Sequence, residues 1–135
     1  MDISGLLFGL FIVAIFLIIA SMRKGSSAVS NKPSKLKSFT VDMNLKQVKK
    51  STLEFSQNNK YDLDEFDEST NRFILSDGAT GTSWGFFYPI YLEEKDGSTF
   101  IEIGIKSKVF QVGPTVNRSH EKFANAFKAF LAINN

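Results

Sequence analysis

The chain has 135 residues, sixteen of them basic and fourteen acidic, a formal charge of +2, and no cysteine. The missing cysteine excludes a disulfide framework, a thiolate nucleophile and a cysteine metal site. Residues 23–37 hold five of the basic residues and no acidic one, which leaves eleven basic against thirteen acidic in residues 38–135, so the folded part is slightly acidic and no nucleic-acid partner is expected.

From Ile3 to Met22 no residue is charged. At helical rise this run covers roughly 30 Å, the thickness of a bilayer's hydrocarbon core. A secretory signal would begin with a basic region and end on small residues, whereas this run begins with "MDIS" and has Ile18 two residues before Ala20. A soluble core helix would carry a polar stripe, and none is present. Residues 1–22 are therefore expected to form a retained single-pass transmembrane anchor in the lipid bilayer. Arg23, Lys24, Lys32, Lys35 and Lys37 all follow the span. Because Lys and Arg in flanking segments stay in the cytoplasm, the N-terminus is placed outside and the C-terminal domain in the cytoplasm. Gly5 and Gly9 form a GxxxG spacing that would let two such helices approach closely, though the spacing is common by chance in apolar sequence.

The next segment, "RKGSSAVSNKPSKLK", is rich in Ser, Lys, Gly and Asn and poor in apolar residues, so residues 23–37 read as a flexible basic linker. Residues 38–135 are enough for one small α+β domain. "FTVDM" alternates Phe39, Val41 and Met43 as a half-buried strand does. "LKQVKKSTLEF" spaces Leu45, Val48, Thr52 and Phe55 as a helix, closed by "NNK", whose asparagines tolerate a left-handed cap. Short strands are expected around residues 61–66 and 72–76, then the glycine-rich loop "SDGATGTSWG". Asp96-Gly97 marks a two-residue hairpin turn between two longer strands, and Phe123, Phe127, Phe130 and Leu131 share one stripe of a last helix. The order β-α-β-β-β-β-α predicts a two-layer sandwich: an antiparallel sheet with two helices on one face.

The turn sets the register. With Lys95 opposite Ser98, Leu92 meets Ile101, Ile90 meets Ile103, Tyr88 meets Ile105 and Trp84 meets Val109, giving an apolar core face. Pro89 falls opposite Gly104, where a bulge or an edge is expected because Pro cannot donate to a ladder. On the other face Glu93 meets Phe100, Tyr91 meets Glu102, Phe87 meets Lys106 and Gly85 meets Lys108. Four aromatics there exceed what a solvated face usually carries. Phe87, Tyr91, Phe100 and Phe110 are thus candidate anchors for a protein partner or a second copy, with Lys106 and Lys108 at the rim selecting an acidic surface or anionic headgroups. The competing reading is that aromatics merely suit strands and lie across Lys stems.

No catalytic, cofactor or metal site is expected. Gly78, Gly81 and Gly85 lack the Lys-Ser/Thr pair and helix start of a phosphate cradle. The string Asp62, Asp64, Glu65, Asp67, Glu68 lacks the glycine and distal glutamate of a calcium loop. His120, the single histidine, reads as an exposed first-turn residue of the last helix. "NRS" at Asn117 matches a glycosylation sequon, which the cytoplasmic orientation makes irrelevant. The leading expectation is a membrane-tethered, non-enzymatic interaction or accessory protein whose domain docks on a partner. The alternative is a sensor or carrier of a small apolar ligand or lipid between sheet and helices. A filled core among Trp84, Tyr88, Phe123 and Phe127 favours the first, a roomy one the second.

Overall fold

A computed structural model describes residues 9–12, 32–59, 61–78, 85–108 and 114–133. Its elements are β1 (Lys37–Val41), α1 (Leu45–Asn58), β2 (Asp62–Asp67), β3 (Arg72–Ser76), β4 (Phe86–Lys95), β5 (Ser98–Ile103), β6 (Lys106–Ser107) and α2 (Pro114–Ile133). The strands pair antiparallel in the order β1-β5-β4-β3-β2, with β6 also against β4. This is the expected α+β architecture, with both helices burying their apolar stripes on one face of the sheet.

Local chemistry explains the boundaries. Asn44 caps α1 by accepting from Gln47 N–H at 2.9 Å, and Gln47 reaches back to Asn44 N–H at 3.3 Å, so two of the helix's free donors are satisfied reciprocally. At the other end Asn59 has φ −116°, so the left-handed cap expected from "NNK" does not form there; its N–H and side chain instead donate to Phe55 O. Asp96 and Gly97 both have positive φ, 53° and 85°, the geometry of the two-residue hairpin turn that twists with its strands.

The hairpin register matches expectation from Lys95↔Ser98 to Ile90↔Ile103. It resumes with Phe87↔Lys106 and with Lys108 N–H donating to Gly85 O. Between them the ladder breaks where Pro89 meets Gly104, so the single expected strand is two, β5 and the two-residue β6. Trp84 and Val109 lie outside the described residues.

Alternation assigns one face to the core: Phe73, Leu75, Phe86, Tyr88, Ile90, Leu92, Ile101 and Ile103 from the strands meet Val48 and Phe55 of α1 and Phe123, Phe127 and Leu131 of α2. The outer face is less open than a one-sided sheet would suggest, since Ile74 and Ser76 there are fully buried. Residues 32–33, within the basic segment, cross this face. Lys32 pairs with Glu102 and sets its ammonium 5.0 Å from the Tyr91 ring centre. Pro33 lies so close to Gly104 that a Cβ there would stand 2.8 Å from its Cγ.

Among the described residues no helix is long and apolar enough to cross a membrane. The apolar run expected to do so lies outside them except for residues 9–12, which are helical, with Leu10 and Phe11 exposed.

Candidate functional site

The interior between sheet and helices is built of aromatic rings. Phe123, brought by α2 beneath β4, stacks on Tyr88 with centroids 4.2 Å apart and planes 3° from parallel. Phe55 of α1 meets Phe123 and Phe127 edge-on at 5.6 and 5.1 Å. Tyr88 and Phe123 are thus in face-to-face contact, with Phe127 beside Phe123 at 6.3 Å; Trp84 lies outside the described residues. Toward the margin, Tyr61 and Phe130 each lie 5.5 Å from Phe55 and are only half-buried.

One end of this apolar interior is polar. Asp77, just after β3, accepts Phe86 N–H at 2.7 Å on one carboxylate oxygen and the Tyr88 hydroxyl at 2.8 Å on the other. Burial, then the hydrogen bond to Asp77 and its negative charge, push the Tyr88 hydroxyl far above its ordinary value, so it stays protonated as a donor. Burial and then the same carboxylate raise Tyr61 as well. The Ser119 hydroxyl of α2 lies beside the Tyr88 hydroxyl and opposes its rise slightly. Asp77, Tyr61 and Ser119 are half-buried, so the cluster meets the surface. Nothing in a single sequence distinguishes Asp77 from other loop acids. Its significance comes from the strand pairing that sets Tyr88 beside it.

The residues expected to form a docking face are partly brought together. Phe87, Tyr91 and Phe100 share the outer face and are half-buried. Lys108 holds its ammonium 5.4 Å from the Phe87 ring centre, and Lys106 pairs with Phe87 in register and is exposed. Phe110 lies outside the described residues. The Tyr91 hydroxyl is buried without a hydrogen-bond partner among the described residues.

Two further features differ from a surface reading. His120 is not exposed: it is 4% accessible, and its Nε2 donates to Ile103 O at 2.7 Å, because α2 begins earlier than expected and places His120 in its second turn against β5. Burial lowers its pKa, the Ile103 carbonyl opposes this, and Lys37 and Lys35 lower it further. Beside it a cleft of about 360 Å³ is lined by Ser34, Lys35, Leu36, Lys37, Asn117 and Glu121. The acidic string is dispersed over separate partners: Glu65 pairs with Arg72 at 3.0 Å, Glu68 with Lys49 at 2.9 Å, and Asp67 accepts from Ser69. Among the described residues no group of His, Asp and Glu could hold a metal ion.

No protein-family model matches this chain, and no curated protein matches it. Among solved structures, the chain is similar to that in the crystal structure of Ara h 8.0201, with a TM-score of 0.57 over 74% of this chain and 95% of that one, at 12% identity. At that identity the likeness shows the fold alone: an antiparallel sheet packed against helices.

Proposed function

We propose that the domain binds a small apolar ligand or lipid between its sheet and its helices, and that residues 1–22 hold it at a membrane with the domain in the cytoplasm. The observation that carries this reading is the aromatic interior ending in the buried Tyr88 hydroxyl, held by the half-buried Asp77. Ligand sites combine such apolar walls with a few convergent polar groups. The fold likeness is compatible with it, and in this chain apolar side chains fill the layer between sheet and helices. The rings are close-packed in the free chain, so the ligand's apolar body enters at the margin by turning aside Tyr61 and Phe130. No catalysis is assigned to the site.

The test is photoaffinity labelling of the full chain in liposomes with a long-chain alcohol carrying a terminal diazirine. Adducts on Phe55, Tyr61, Phe123 or Phe127 are expected. Adducts confined to residues 3–22, or none, contradict the reading.

A second reading, docking on a protein partner, draws support from the tight contact of Tyr88, Phe123 and Phe127 and from the half-buried aromatics Phe87, Tyr91 and Phe100 on the outer face. It predicts that Phe87→Ser abolishes recovery of a partner from solubilised membranes while leaving interior labelling unchanged.

A further inference from the structure

Resting on the ligand-binding reading, we infer that the site selects an apolar molecule whose polar end is a hydrogen-bond donor, a hydroxyl or an ammonium, and rejects a free carboxylate. The polar end of the interior is set by Asp77, whose two oxygens already face Phe86 N–H and the Tyr88 hydroxyl at 2.7 and 2.8 Å. Each carboxylate oxygen has a further lone pair, so the group can accept another donor without giving up either bond. It cannot receive a second anion without placing like charges together in a partly desolvated site.

Among the described groups that act on the Tyr88 hydroxyl, Asp77's hydrogen-bond partner, none is a cation. The groups acting on the Tyr88 hydroxyl are Asp77, Tyr61 and Ser119, an acid and two neutral hydroxyls. Lys108, at the neighbouring strand end, holds its ammonium over Phe87 on the opposite face of the sheet. The Tyr88 hydroxyl is committed to Asp77, and Tyr61, half-buried beside it, stands where a ligand would pass. A hydroxyl or ammonium arriving there finds an acceptor, and a carboxylate finds a fixed negative charge.

The test uses the full chain in zwitterionic liposomes and three diazirine probes of equal chain length: a primary alcohol, a primary amine and a carboxylic acid. Each probe's labelling of the interior is compared with that of an Asp77→Asn variant in the same liposomes, so partition into lipid cancels. The wild-type chain is expected to favour alcohol and amine over acid by about ten-fold relative to the variant, the factor that corresponds to about 1.4 kcal/mol. Tyr88→Phe, which keeps the ring on Phe123 and leaves the carboxylate in place, is expected to retain the preference. Should Asp77→Asn fail to fold, the Tyr88→Phe chain and the wild-type ratio measured against labelling of residues 3–22 in the same sample still decide. Equal interior labelling by all three probes, or stronger labelling by the acid, overturns the selectivity and leaves the ligand-binding reading standing. Interior labelling by none of them overturns the ligand-binding reading itself.

Discussion

His120 shows how one buried side chain couples the fold to pH. The Ile103 carbonyl can only accept, so Nε2 carries the proton in the neutral ring, and protonation would add a second at Nδ1, within the field of Lys35 and Lys37. With the folded-state pKa below the ordinary value of 6.5, the unfolded chain binds more protons in the window beneath 6.5. Stability is therefore expected to fall as pH drops through that window and to be independent of this group above it. Thermal melts at pH 7.5 and pH 5 check this. A His120→Gln chain, whose amide can still donate to Ile103 O, is expected to lose less on acidification than the wild type. Within the core, Phe127 is fully buried against Phe55 and Phe39, so Phe127→Ala is expected to cost about 3–5 kcal/mol in denaturant unfolding.

At the level of elements, the turn at Asp96-Gly97 and the crossing at Gly104 make separate demands on glycine. Gly97 has φ 85° and open space around it, so Gly97→Ala is expected to cost about 1–2 kcal/mol through backbone strain alone. Gly104 is a matter of space: a methyl there would meet Pro33 and Pro89, so Gly104→Ala should displace residues 32–33, and Pro33→Ala in the same chain should restore part of the loss. Amide hydrogen exchange of residues 34–36 would report both effects. These elements also show what a sequence makes legible. The hairpin register could be read because a two-residue turn and period-2 alternation leave one solution. The break at Pro89 follows from its missing N–H, and the same register places Phe87 opposite Lys106 where the ladder resumes; the packing of Pro33 on Gly104 is not legible, since the two are distant in sequence. The burial of His120 is not legible because α2 starts at Pro114, earlier than its apolar stripe suggests. Asp77 was invisible as a site residue, because only the pairing of β3 with β4 brings it to Tyr88.

For the molecule as a whole, the proposed role is to hold an apolar ligand between sheet and helices. Residues 32–135 are expected to fold without the preceding run, because among the described residues the core is built from β1 onward, and cooperative unfolding of that fragment checks it. A topology reporter fused to Asn135 is expected to give a cytoplasmic signal, following the basic residues after the span. With the fragment in hand, intermolecular nuclear Overhauser effects between a bound long-chain alcohol and the protein's ring protons locate the ligand directly. Contacts to Phe55, Tyr61, Phe123 and Phe127 are expected. Contacts confined to Phe87, Tyr91 and Phe100, or none at saturating alcohol, would contradict the proposed role.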